Sequence, residues 1–165
     1  MYKVKMDGQT LYYPGDKEAV LTNPTLNLQT GYAGTFEFSV PPNNPLYDKI
    51  KNRSSMVSVF RDTTEIFYGE VRKQPKVDRY RNKNVYCAGA MSFLADSIQP
   101  QAEYHDMTPR QMLETFLDIH NNQVEDRKKI YLGKVTITDA NDSLYRYTNF
   151  ENTLKAIREK LVEKL

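Results

Sequence analysis

Two histidines, one cysteine and a scatter of carboxylates are the groups in this sequence that could carry chemistry. Glu103-Tyr104-His105-Asp106 sets two carboxylates, a phenol and an imidazole side by side, just ahead of a helix start. A metal centre needs three or four ligands converging in space, usually with a second motif elsewhere. The other histidine, His120, stands in His120-Asn121-Asn122-Gln123, there is no HExxH, and Cys87 has no cysteine partner. The run therefore reads as a solvated loop capping a helix. His120 reads as a structural residue near a helix C-terminus, where the dipole favours a cation. A nucleophilic Cys87 would need a base within reach and an electropositive setting. In Val85-Tyr86-Cys87-Ala88-Gly89 alternation puts Val85 and Cys87 on one face, the position of a buried, inert thiol. Asp139 and Asp142, in Thr138-Asp139-Ala140-Asn141-Asp142-Ser143, resemble a calcium loop loosely but lack its glycine and distal glutamate, and a solvated turn fits better. No GxSxG, Walker loop or GxGxxG occurs. The sequence thus assigns no catalytic, cofactor-binding or metal-ligating residue, and calls for no cofactor.

The aromatic residues open a different option. Tyr12, Tyr13, Tyr32, Tyr47, Tyr68, Tyr80, Tyr86 and Tyr104 fall mostly in or beside strand-like segments. Cross-strand packing is their ordinary use, and a sugar-binding or subunit-contact surface is the sharper alternative. Arg79, Arg81 and Lys83 cluster at one hairpin tip, which reads as a solvated turn before it reads as a phosphate clamp.

The elements that must position these groups change character along the chain. Tyr2–Met6 and Gln9–Tyr13 flank Asp7-Gly8, a strong hairpin signal. Ala19–Leu21 and Thr25–Gln29 are extended, and the latter is expected to pair with Thr35–Val40, where Phe36, Phe38 and Val40 share a face. Pro41 and Pro42 stop that strand. Met56–Arg61 and Glu65–Val71 form another hairpin, and Lys76–Tyr80 with Asn84–Ala90 one more. After Gly89 the period shifts. Met91–Asp96 suits a short helix, and Thr108-Pro109-Arg110-Gln111 is a capping box opening a helix to about Gln123. Lys129–Thr138 reads as a strand, and a final amphipathic helix starts near Glu151. The expected fold is α+β: an antiparallel β-barrel with two or three peripheral helices. Residues 1–100 form the barrel, and 101–165 an α/β segment beginning a second, truncated subdomain.

Composition sets the outer bounds. At 165 residues the chain can bury roughly 70% of its unfolded surface without staples. With 23 basic and 21 acidic residues interspersed, it carries neither a nucleic-acid stripe nor a polybasic membrane segment. It shows no signal peptide and no membrane span, so the expected partners include no sequence-specific nucleic acid and no membrane. One cysteine fits synthesis in a reducing cytoplasm. The closing helical pattern, Thr153–Leu165, has no glycine cap, as suits a piece cut from a longer protein no less than a natural end.

Several segments together resemble the amino-terminal region of the prophage tail endopeptidase or tail-associated lysin family, hub-like proteins at the tip of long-tailed phages. They are Gly34–Pro42 with Asn44–Asp48, Ile66–Val71, Val85–Gly89 leading to Phe93–Ser97, His120–Val124, and Gly133–Ile137 with the closing helix. The resemblance implies a barrel related to the tail-tube and baseplate-hub fold, assembled as a homotrimeric ring at the end of the tail tube. It implies a virion structural role at the tail tip, with the distal tail protein and the tape measure as partners and DNA passing through without sequence readout. Any wall-cleaving module would lie beyond residue 165, so this segment is expected to be non-enzymatic. A cell-wall peptidase or hydrolase and a carbohydrate-binding host-recognition module are the alternatives. Trimer contacts are expected at strand edges within 17–40 and 56–72 and at the Pro41–Pro45 corner. The piece alone is expected to be monomeric, and a twofold dimer would count against the hub.

Overall fold

Asp7 and Gly8 both take positive φ, 49° and 80°, the signature of a two-residue turn whose twist matches its flanking strands. They fold β1 (Tyr2–Met6) back onto β2 (Gln9–Tyr12). The chain was followed in a computed structural model, which describes residues 1–137 and 145–164. It folds as two compact units, Met1–Met91 and Ser92–Leu165.

The first unit continues with β3 (Thr22–Asn27), β4 (Thr35–Val40), β5 (Met56–Arg61), β6 (Thr64–Val71), β7 (Lys76–Val77) and β8 (Lys83–Gly89). All pairings are antiparallel, in the order β2-β1-β5-β6-β8-β4-β3, with β7 also alongside β8. Register explains the core. Val4 lies opposite Val59, Val59 opposite Phe67, Val71 opposite Cys87, Cys87 opposite Phe36, and Val85 opposite Phe38. Because side chains alternate, one face of each strand except the short, exposed β7 feeds one apolar cluster. Strands from both ends of the path contribute to it, Leu11 from β2 and Leu26 from β3, so the sheet is curled. The expected α+β class and antiparallel sheet are present. The hydrogen-bonded path itself runs open from β2 to β3, a half-barrel.

Two glycines allow neighbouring backbone to approach closely. Gly69 and Gly89 face each other across β6 and β8. A Cβ on Gly89 would sit 1.8 Å from the Ala33 carbonyl oxygen, and Gly89 N–H donates to the Gly34 carbonyl at 3.1 Å. No other residue permits that approach. Both glycines lie in the Ile66–Val71 and Val85–Gly89 motifs.

The second unit opens with the last turns of a 3₁₀ segment (Ala90–Asp96) and adds β9 (Ala102–Tyr104), α1 (Pro109–Asn121), β10 (Arg146–Thr148) and α2 (Thr153–Lys160). The Thr108–Gln111 capping box forms as expected: Gln111 N–H donates to Thr108 Oγ1 at 3.3 Å, and Thr108 N–H donates to Gln111 Oε1 at 2.9 Å. Met112, Phe116, Ala156 and Leu161 make a small apolar cluster between α1 and α2.

Two expectations are overturned here. Lys129–Ile137 is irregular backbone, not strand. The Asn121 amide takes both backbone groups of Ile130, its Nδ2 donating to the carbonyl and its Oδ1 accepting from the N–H, each at 2.8 Å. A strand partner would need those same groups. Thr138 and the calcium-like run through Ser143 lie outside the described residues. The expected solvated loop at Glu103–Asp106 begins instead as β9, paired with β10 through Arg146↔Tyr104 and Tyr147↔Glu103.

Candidate assembly seam

The half-barrel leaves a seam between its first and last strands. At one end a single amide bridges it: Asn44 Nδ2 donates to the carbonyls of Leu11, in β2, and Val20, just before β3, at 2.9 and 3.0 Å. Asn44 Oδ1 accepts from Leu46 N–H at 3.0 Å, and the residue is buried. Every hydrogen-bonding group of this side chain save part of its oxygen's capacity is committed. Within the Pro41–Pro45 corner, expected as a subunit contact, Asn44 therefore turns inward as a pin while Pro42, Asn43 and Pro45 stay exposed. The prolines explain why: they stop β4 and swing the chain back under the seam.

Toward the other end the seam opens into a groove of about 630 Å³. Val4, Tyr12, Leu21, Pro24, Leu26, Leu28, Phe36, Val59 and Ile66 line it, with Tyr2 and Arg61 at the wall. A second depression of about 550 Å³ shares Leu26 and Leu28 and runs on past Tyr32. Leu28, Tyr32 and Tyr2 are more than half exposed, an unusual concentration of apolar surface for one small region. β3 forms one bank and pairs only with β4 among the described strands. Asn23, at φ 51°, and Pro24 break its register between Thr22 and Thr25. This bulge limits further pairing on β3 to Thr25–Asn27.

The expected contact edges resolve unevenly. β3, within 17–40, is a true edge strand. β5, within 56–72, is not: β1 and β6 pair with it on both sides. β6 is paired on both sides only at Gly69–Val71. The edge at β2 was not singled out from sequence. An amphipathic hairpin looks alike whether it lies inside a sheet or at its margin.

The residues with chemical potential end up apart. Cys87 is fully buried in β8, and burial pushes its thiol far up, leaving it without nucleophilic character. Lys83 does not extend into solvent. Its Nζ donates to the Tyr47 carbonyl at 2.7 Å, pairs with Asp48 at 3.1 Å and lies 3.9 Å from the Tyr47 ring centroid. Arg79 stacks on Tyr80 at 4.7 Å. In the second unit His105 Nε2 lies 3.8 Å from the Glu103 carboxylate, both exposed.

His120 stands in the last turn of α1, near the helix C-terminus as expected, and is fully buried there. Its Nε2 reaches the Lys128 carbonyl at 3.1 Å, which can only accept, so Nε2 carries the hydrogen and Nδ1 accepts. Ser97 Oγ then donates to Nδ1 at 2.7 Å and accepts from Thr153 Oγ1 at 2.7 Å. Thr153 in turn accepts from Gln99 Nε2 at 2.7 Å, and the same nitrogen donates to the Phe116 carbonyl at 3.1 Å. A serine within hydrogen-bond reach of a histidine suggests a hydrolase by distance alone. Ser97, His120, Thr153 and Gln99 are all at most 1% exposed, so no substrate carbonyl could reach the hydroxyl. Sequence reasoning could not find this network, because its members are 2 to 56 residues apart.

No protein-family model matches this chain, and no curated protein matches it. Solved structures do. The tail protein from Neisseria meningitidis MC58 superposes with a TM-score of 0.52 at 13% identity, over 71% of this chain and 33% of its own. The 43 kDa tail protein of prophage MuSo2 from Shewanella oneidensis gives a TM-score of 0.45 at 16% identity, over 73% and 37%. This chain thus spans about a third of the length of the Neisseria protein, and what it shares with that protein is the fold.

Proposed function

We propose that this chain is a structural part of a phage or prophage tail: a non-enzymatic domain of the tail-tip hub, joined with two further copies into a ring at the end of the tail tube. The observation that carries the reading is the open seam, an edge strand beside an exposed apolar groove, in a fold shared with a solved tail protein. An uncovered edge of this kind is a template for pairing, and closure in a ring is one way to satisfy it. In this reading β3 and the Leu26–Leu28 bank are the surface that meets the neighbouring copy, in the intact protein. Distal tail protein and tape measure are its partners above and within the ring. DNA passes through without base contacts.

Two measurements test this. Antibody raised to this chain should place immunogold at the tail tip of particles induced from the source strain; label absent from intact and opened particles would refute the assignment. Within the full-length protein, Leu28→Asp sets a carboxylate in the seam. Leu28 is exposed in the single chain, so folding should change little, while a buried unpaired charge between copies should cut tailed-particle yield about tenfold or more.

A further inference from the structure

The outer face of the β9–β10 ribbon carries a group of side chains that the tail reading does not use. Alternation sends Arg146 and Thr148 inward, where both are buried, and turns Tyr145 and Tyr147 outward, each 52% exposed. Register sets Glu103 opposite Tyr147. The two tyrosine rings stand 6.2 Å apart at 29°, and the His105 ring lies 4.9 Å from Tyr145 at 44°. His105 Nε2 lies 3.8 Å from the Glu103 carboxylate. From α2, Lys160 Nζ sits 4.4 Å from the Tyr147 ring centroid, and the Lys160 carbonyl accepts from Arg146 Nε at 3.0 Å, tying helix to ribbon.

Exposed tyrosines on a surface strand ordinarily turn freely. Here partners from β9, the residue after it, and α2 hold both rings in place, so little ordering remains to be done when something binds. We infer that this face is a saccharide-binding site, taking one to three neutral pyranose rings. A pyranose offers an apolar C–H face to an aromatic ring and a rim of hydroxyls that both donate and accept. The site offers two half-exposed rings, two phenol oxygens, a carboxylate acceptor, an imidazole and an ammonium. Size separates this occupant from a protein. Two three-residue strands present a face only about 10 Å on a side. A stable protein interface needs on the order of 800 Å² from each partner.

The site stands in the second unit and does not rest on the tail-tip reading, so either can fail alone. The test is an amide NMR titration of the whole chain with chitotriose, maltotriose and cellotriose, each to about 10 mM, a range that reaches millimolar dissociation constants. At least one sugar should shift the resonances of residues 102–105 and 145–148 saturably. Tyr147→Ala and Tyr145→Ala should each weaken that binding about tenfold or more. Tyr131→Ala removes the most exposed tyrosine, outside the ribbon, and should bind as before. Failure of all three sugars to shift these resonances would overturn the inference. So would unchanged affinity in Tyr147→Ala, or broadening that depends on protein concentration without sugar, which would make the ribbon a self-association surface.

Discussion

The two units solve the same problem with different materials. In Met1–Met91 the interior is one apolar cluster fed by cross-strand register, and its largest members meet ring to ring, as Phe36 does Phe38 at 4.7 Å and Phe67 at 6.0 Å. In Ser92–Leu165 the apolar cluster is smaller, four buried residues, and the same unit buries a directed chain of hydrogen bonds from Gln99 through Thr153, Ser97 and His120 to Lys128. Apolar burial is tolerant of partners as long as volume is kept. A buried polar chain is not, because each deletion strands a neighbour in low dielectric. The first unit should therefore lose most from lost volume, the second from lost hydrogen-bond order.

The largest expected effect tests the first half of that contrast. Phe36→Ala empties a buried site beside Phe38 and Phe67 in the main apolar cluster. A loss of about 3–5 kcal/mol is expected from urea unfolding. A loss under about 1 kcal/mol would mean the half-barrel relaxes around the hole and its core is less tightly specified than its register implies.

The second half is tested by Ser97→Ala. The hydroxyl both donates to His120 and accepts from Thr153, so its removal strands the His120 Nδ1 lone pair and the Thr153 hydroxyl hydrogen in the interior. About 1–3 kcal/mol should be lost, although only one small atom is removed. Ser97→Ala combined with Thr153→Val should cost clearly less than the sum of the two single changes, because both ends of one bond vanish together. Additive costs in that cycle would mean the bonds act independently and the chain is not a unit.

The same contrast explains which features could be read from sequence. Phe36, Phe38 and Val40 alternate within six residues and are all buried, as their spacing requires. Asp7-Gly8 and Thr108-Pro109-Arg110-Gln111 declare a hairpin and a helix start within four residues each, because the physics of turns and caps is local. Such local signals fail where a distant side chain decides the matter. Asn121 holds Ile130 out of a strand, and β9 finds β10 more than forty residues on. His120 reads as a structural residue near a helix end, and it stands there, but nothing near it in sequence reveals its partner Ser97. The seam falls between these cases: β3 is legible as a strand, but only topology shows that it is an edge, and only the fold shows that Asn44 turns inward to Leu11 and Val20.

At the surface the contrast is smaller and can be sharpened by acid and salt together. Asp16 is held below the ordinary carboxylate value by the backbone N–H groups of Glu18 and Ala19, which donate to Oδ1 at 2.9 and 3.1 Å. In the second unit Arg127 lowers Glu125, and Lys129 lowers Asp126, at 2.8 and 2.7 Å. All three carboxyls have folded values depressed relative to the unfolded chain. Their stabilisation is therefore present above the ordinary values of 3.8 for Asp and 4.5 for Glu, and is lost as pH falls through the folded values. Acid thus acts on both units with the same sign, and modestly, because these groups are exposed. Salt should not. Screening at about 1 M ionic strength reaches charge pairs in water but leaves a carboxylate's bonds to neutral N–H groups largely intact. In an NMR titration of side-chain carboxyls, Glu125 and Asp126 should move back toward their ordinary values in high salt, while Asp16 stays depressed. If Asp16 moves as far as the other two, its lowering comes from diffuse charge, and the turn that carries the chain from β2 toward β3 across the seam is held no more specifically than a surface ion pair.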